Sequence, residues 1–310
     1  MPHDHEEHEE HGHSHGHSHI PPSNNAAFAI GVALNLGFVV AEVVYGLAAH
    51  SLALLSDAGH NLSDVFGLLI AWGAIHISKS LPTKRHTYGL RRSSILAALT
   101  NAVVLLIVVG GITWEAIGRF FRPEVVTGST VMWVAAAGVV INGISALLFM
   151  AGRDKDLNIK GAFMHMASDA LVSLGVVVVG FAIGVTGWHW LDPAMSILIS
   201  IIIVWGTWGL LRESVNLAMD AVPAGIDIHA VEKYLAGLEG VEAVHDLHIW
   251  GMSTTESALT VHLVMPQVPT DGKFLHEVCH ELHERFEIGH TTIQIEHGDA
   301  ECHQSPAHVV

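Results

Sequence analysis

The sequence predicts an α-helical membrane protein, with six transmembrane helices followed by a small α+β cytoplasmic domain of order α-β-β-α-β. Three observations carry that prediction. Hydrophobic residues make up 50% of the 310-residue chain and charged residues 14%, where a soluble globular protein carries about 25% charged residues. Six apolar stretches approach the ~20 residues that a bilayer-crossing helix needs. The charge collects in the N-terminal tail and the last hundred residues, leaving most of the chain between them apolar.

Taken in order, residues 1–25 are a low-complexity tail rich in His and Glu. They hold too few apolar side chains to bury a core and are expected to be disordered. The first twenty residues have neither a basic region nor an apolar run, so they do not read as a signal peptide. The apolar stretches run over about 27–48, 52–77, 94–117, 130–150, 162–185 and 193–211. They make residues 26–212 the membrane domain. Loop charges orient them. Lys79, Lys84, Arg85, Arg91 and Arg92 lie between the second and third, and Arg153, Lys155 and Lys160 between the fourth and fifth. The one-two and five-six turns hold no Lys or Arg, so the positive-inside rule places both termini in the cytoplasm.

Residues 213–298 read as a soluble domain. A helix is expected over 227–237, with Ile228, Val231 and Leu235 on one face. Strands are expected over 241–250, 257–264 and 291–296, from alternation and β-branched content. An amphipathic helix over 273–286 turns Phe274, Val278, Leu282 and Phe286 inward. Residues 299–310 are expected to form a flexible tail. The net charge of −16 leaves no basic stripe for nucleic acid. The two cysteines, Cys279 and Cys302, form no disulfide framework and fit a reducing compartment.

The second and fifth spans depart from apolarity in the same way. His60 and Asp64 lie four residues apart and share one helical face, and His165 and Asp169 repeat the spacing. Ionisable groups at membrane depth are costly and face a protein interior, a cavity or an ion path. One such pair could be a local hydrogen bond that packs helices; two at identical spacing point to an ion. Two imidazoles and two carboxylates suit tetrahedral Zn²⁺, whereas Mg²⁺ or Ca²⁺ takes more oxygen ligands. Metal ligands must be deprotonated, so loading metal releases protons, and imidazoles with ordinary pKa near 6.5 titrate in the useful range. No GxxxxGK[ST] phosphate loop is present to couple transport to a nucleotide.

The segments SLALLSDAGHNLSD (Ser51 to Asp64) and HMASDALVSLGVVV (His165 to Val178), with six spans and a soluble C-terminal domain, resemble the cation diffusion facilitator transporters, zinc-preferring branch. The resemblance covers residues 26–298. It implies a homodimer that exchanges cytosolic metal for protons by alternating access, with His60, Asp64, His165 and Asp169 as the transport site. It implies regulatory metal at His245, His262, His276 and Glu296, although Gln294 stands where a histidine is often found and an amide is a poor zinc ligand. Arg92 and Asp220 fall where the family places a charge pair between its domains. The protein implied is no enzyme and needs no catalytic cofactor. Its partners are Zn²⁺, protons and a lipid bilayer, in a bacterial plasma membrane.

Other features carry less. Asp57, one turn from His60, could support a ligand, line the exit or serve packing. Glu42, Asn35 and Asn142 are expected to join helices by hydrogen bonds rather than line the pathway. His276-Glu277-Val278-Cys279-His280 satisfies HExxH, the pattern of zinc peptidases, but five-residue patterns arise easily in a helix this rich in His and Glu. The loop around His86 is cationic, and no metal site is expected there. In the tail, His11, His13, His15, His17 and His19 alternate with Gly and Ser as flexible weak metal binders. A membrane metal sensor that does not transport is the alternative reading.

Overall fold

The computed structural model describes residues 25–78, 82–150, 157–267 and 272–297. The histidine tail, Lys79, Arg153, Lys155, Cys302 and residues 299–310 lie outside them.

Six long helices come first: α1 Asn25–Ala48, α2 Leu52–Ser78, α3 Ser93–Phe121, α4 Gly128–Met150, α5 Leu157–Thr186 and α6 Leu191–Ala218. Among the described residues, four stretches are long and apolar enough to cross a membrane: Ser93–Phe121, Gly128–Leu147, Phe163–Thr186 and Leu191–Ala218. α1 offers a shorter apolar piece, Asn35–Ala48, among the described residues. The outward faces are those of a membrane protein: Trp114 of α3 and Trp205 of α6 are 80% and 84% exposed. A patch of that character marks contact with something other than water.

Inside, Leu54, Val109, Val131, Ile183 and Ile199 form one apolar cluster drawn from five helices. Close backbone approach tightens it. A Cβ on Gly180 of α5 would stand 2.7 Å from the Met132 amide nitrogen of α4, so a glycine there lets the two helices meet. The first turn of α2 is capped across the chain by Asp192, at the start of α6. The Ser51 hydroxyl donates to Asp192 Oδ1 at 2.5 Å, and the Leu52 and Ala53 amides donate to its two oxygens at 2.7 and 3.4 Å. These are the N–H groups that a helix start leaves without partners. Ser56 and Ser196 share a hydrogen bond of 2.7 Å nearby, continuing the α2–α6 contact.

α6 runs to Ala218, past the end at 211 expected from hydropathy, because its last turns stay helical as they leave the apolar region. The C-terminal domain follows as α7 Ile228–Ala236, β1 Ala243–Gly251, β2 Ser257–Val264, α8 Lys273–Phe286 and β3 Ile288–Glu296. Asp227 caps α7 by accepting from the His229 and Ala230 amides. The sheet order is β1-β2-β3, with β1 antiparallel and β3 parallel to β2. β3 starts three residues earlier than expected, because Glu287 ends α8 in the left-handed region (φ 56°) and turns the chain at once into the strand. Val231, Leu235, Val278 and Leu282 bring both helices onto Leu259, Val261 and Leu263 of the sheet.

The 82–94 segment docks against this domain. Arg91 Nη1 meets Glu256 Oε1 at 3.1 Å, and Arg92 donates to Asp220. The Thr254 amide donates to Ser94 Oγ at 3.2 Å, and the Tyr88 ring stands edge-on to His290.

Candidate functional site

The i,i+4 spacing on α2 and α5 puts two ligand types on each of two facing helix surfaces, and the helices bring those surfaces together. His60 Nε2 lies 3.2 Å from Asp169 Oδ1 and 3.9 Å from Asp64 Oδ2. His165 Nε2 lies 3.4 Å from Asp64 Oδ2 and 3.6 Å from Asp169 Oδ2. The shortest contacts cross between helices, so the four groups form one cluster instead of two local pairs. Zn–N and Zn–O bonds near 2.0–2.1 Å give a tetrahedron with edges of about 3.3 Å. The observed separations bracket that edge. Asp169 is buried, while His60, Asp64 and His165 are partly open. An ion could therefore reach the cluster without unfolding the helices. His60, Asp64 and Asp169 offer ligand atoms all within 4.8 Å of one another; His165 stands outside that group and reaches Asp64 and Asp169 from α5 at 3.4 and 3.6 Å.

Around this cluster lies a second layer. Asp57 is buried and accepts from Ser173 Oγ at 3.2 Å. Asn61, next to His60, donates to Glu42 Oε2 at 2.9 Å, so Glu42 does join α1 to α2 by a hydrogen bond. Asn142 is buried, and its amide nitrogen has no partner among the described residues.

In the C-terminal domain a second cluster rises from strand register. His245, His262 and Gln294 sit side by side across β1, β2 and β3. Glu296 follows two residues along on the same face of β3. His245 Nε2 and His262 Nδ1 each lie 3.0 Å from Glu296, one at each carboxylate oxygen. The two rings are 5.1 Å apart, edge to face. Gln294 does not enter the set as a ligand: its Nε2 donates to Glu296 Oε1 at 2.8 Å and steadies that carboxylate.

His276 departs from the expected set. It is exposed on α8, and the described residues that gather for a metal are His245, His262 and Glu296. The helix lies across the sheet from the strand register that aligns the others. Asp246 takes a place near them that the sequence did not suggest. A bulge between His245 and His248 and a left-handed Asp246 (φ 53°) turn its carboxylate inward, 3.4 Å from His262 Nε2 and 3.0 Å from His248 Nε2. A non-glycine residue at positive φ is uncommon and favours Asp or Asn, but the sequence gives no sign of which aspartate adopts it. Cys279 on α8 is a poor third-party ligand, since burial pushes its thiol pKa up and keeps it protonated.

Comparison with known proteins shows the family to which the chain belongs. The cation efflux transmembrane domain matches residues 28–217, and the cation efflux protein cytoplasmic domain matches residues 223–298. The metal cation efflux system protein CzcD of Cupriavidus metallidurans is 40% identical over 288 residues, covering 93% of this chain and 90% of that protein. The zinc transporter ZitB of Escherichia coli is 38% identical, covering 94% and 93%. The cadmium, cobalt and zinc/H(+)-K(+) antiporter of Bacillus subtilis is 34% identical, covering 88% and 89%.

Proposed function

Because the chain belongs to the cation efflux family of membrane transporters, we propose that it exports Zn²⁺ from the cytosol in exchange for protons. The carrying observation is the cluster of His60, Asp64, His165 and Asp169 across α2 and α5, in which each imidazole lies 3.2–3.9 Å from both carboxylates. Zinc is the cargo that this donor set suits best, and zinc stands in the names of two of the relatives above. The same ligands accept cadmium and cobalt, which the Bacillus subtilis relative's name also carries.

In this reading all six helices span the membrane, both termini are cytoplasmic, and the membrane is the bacterial plasma membrane. The N-terminal histidines, outside the described residues, gather cytosolic zinc weakly. Zinc enters between α2 and α5 and displaces protons from the ligands, since a bound imidazole or carboxylate must be deprotonated. On the outward side protons return and release it. Because the shortest ligand contacts run between helices, a change in the α2–α5 spacing opens the set while each i,i+4 pair stays whole. That geometry supports alternating access. The C-terminal domain pairs two chains, and His245, His262 and Glu296 hold regulatory zinc with Asp246 beside them.

Zinc uptake into everted vesicles under an imposed pH gradient tests the reading. Wild-type protein accumulates zinc, and collapse of the gradient stops it. Uptake that ignores the gradient would sink proton exchange, and zinc-dependent conformational change without flux would favour the sensor.

A further inference from the structure

Behind the transport cluster, two acids meet without a donor between them. Glu42 of α1 and Asp57 of α2 are both fully buried. One oxygen of each is accounted for: Asn61 donates to Glu42 Oε2 at 2.9 Å, and Ser173 donates to Asp57 Oδ2 at 3.2 Å. The other two, Glu42 Oε1 and Asp57 Oδ1, receive no hydrogen bond among the described residues, and the two carboxyl groups lie within reach of each other. Two ionised carboxylates at that range in a buried site repel strongly, and each orphaned oxygen adds a desolvation penalty. A single proton removes both costs. It makes one carboxyl a donor to the other and lowers the pair to one negative charge.

Among the described residues, no alternative counter-charge stands at Glu42. α4, which packs on α1, carries no titratable residue. Asp57 faces His60 and Asp169 of the transport cluster, on its own helix and on α5. The pair therefore sits one helical turn from the cargo site and senses its charge.

We infer that Glu42 and Asp57 share one proton between those two oxygens, and that zinc arriving at the four-ligand cluster displaces it. This rests on the exchange reading above. Two positive charges one turn from Asp57 offset the repulsion that the proton relieved. The O–H bond breaks, its electron pair stays on the carboxylate, and the proton leaves to water. The pair then supplies one of the exchanged protons from a place that never touches zinc.

Infrared spectroscopy of the full-length protein in lipid, with and without zinc, tests the pair directly. Wild-type protein should show a protonated-carboxyl carbonyl band that moves in D₂O and fades on zinc addition. Glu42→Gln should lack the band. Its amide can still accept from Asn61 and donate to Asp57, so the fold is kept without an acidic proton. Asp57→Asn should lose the band as well. In Glu42→Gln, the protons released per zinc bound should fall by about one, since ligand loading itself still releases protons. A band that persists in Glu42→Gln, or that zinc leaves unchanged, overturns the inference. Zinc flux without proton counterflow in wild-type proteoliposomes overturns the exchange reading instead, and the infrared result then stands on its own.

Discussion

The two metal-ligand clusters share their chemistry and differ in how they are held. Each combines two imidazoles with carboxylates. The α2–α5 cluster is assembled from two helices more than a hundred residues apart, and its closest contacts, 3.2 and 3.4 Å, cross between them. The C-terminal cluster is fixed by sheet register, with His245 opposite His262 and His262 beside Gln294 in a hydrogen-bonded ladder. Helices slide and tilt against one another by small shifts of side-chain packing. A strand pair cannot slip without turning its side chains to the other face. The first arrangement suits an ion that must leave; the second suits one that stays.

The largest test of that contrast is removal of a ligand from each cluster. Asp64→Ala or His165→Ala should abolish gradient-driven zinc uptake, a loss beyond the 10–100-fold that follows when a group merely supporting a ligand is removed. His262→Ala should leave uptake at saturating zinc within a few-fold, while zinc binding measured by calorimetry loses its slowly exchanging component. Equal loss of uptake in both variants would break the contrast.

Next in size is Gly180→Val. Its branched side chain would meet the Met132 backbone, and overpacking of this kind costs about 1–3 kcal/mol. The melting temperature in detergent should fall and uptake with it, while zinc retention at the C-terminal cluster is unchanged. Asp246→Asn tests the sheet cluster more gently. Removing the negative charge beside His262 should weaken retained zinc by about 10-fold, read by competition with a chelator. The smallest effect is expected for Arg91→Ala. Its half-buried pair with Glu256 contributes at most about 1 kcal/mol, so stability should change little, and the useful readout is whether C-terminal zinc still alters the rate of uptake.

The legible part of the molecule followed from periodicity. The helices over 25–218 are visible as apolar runs, and the soluble domain's α-β-β-α-β order as changes of period. The four residues of the membrane cluster stood out because costly side chains recurred at one helical spacing. What escaped depends on contacts between distant segments. Asp246 joins His262 only through a bulge and a left-handed backbone. Arg91 finds Glu256 only because the 82–94 segment meets the β1–β2 turn. His276, which the family resemblance implied as a ligand, is exposed on α8. Among the described residues, four stretches reach the length and apolarity of a span.

The Asp192 cap has a mechanical consequence. It ties the first turn of α2 to α6 by three hydrogen bonds, while His60 lies nine residues further on. At 1.5 Å per residue that is a lever arm of about 13 Å. Rotation by about 10° around the fastened end would carry His60 sideways by about 2 Å, enough to part it from Asp169. A short, well-anchored fulcrum thus turns a small angular motion at the start of α2 into the opening or closing of the His60–Asp169 contact.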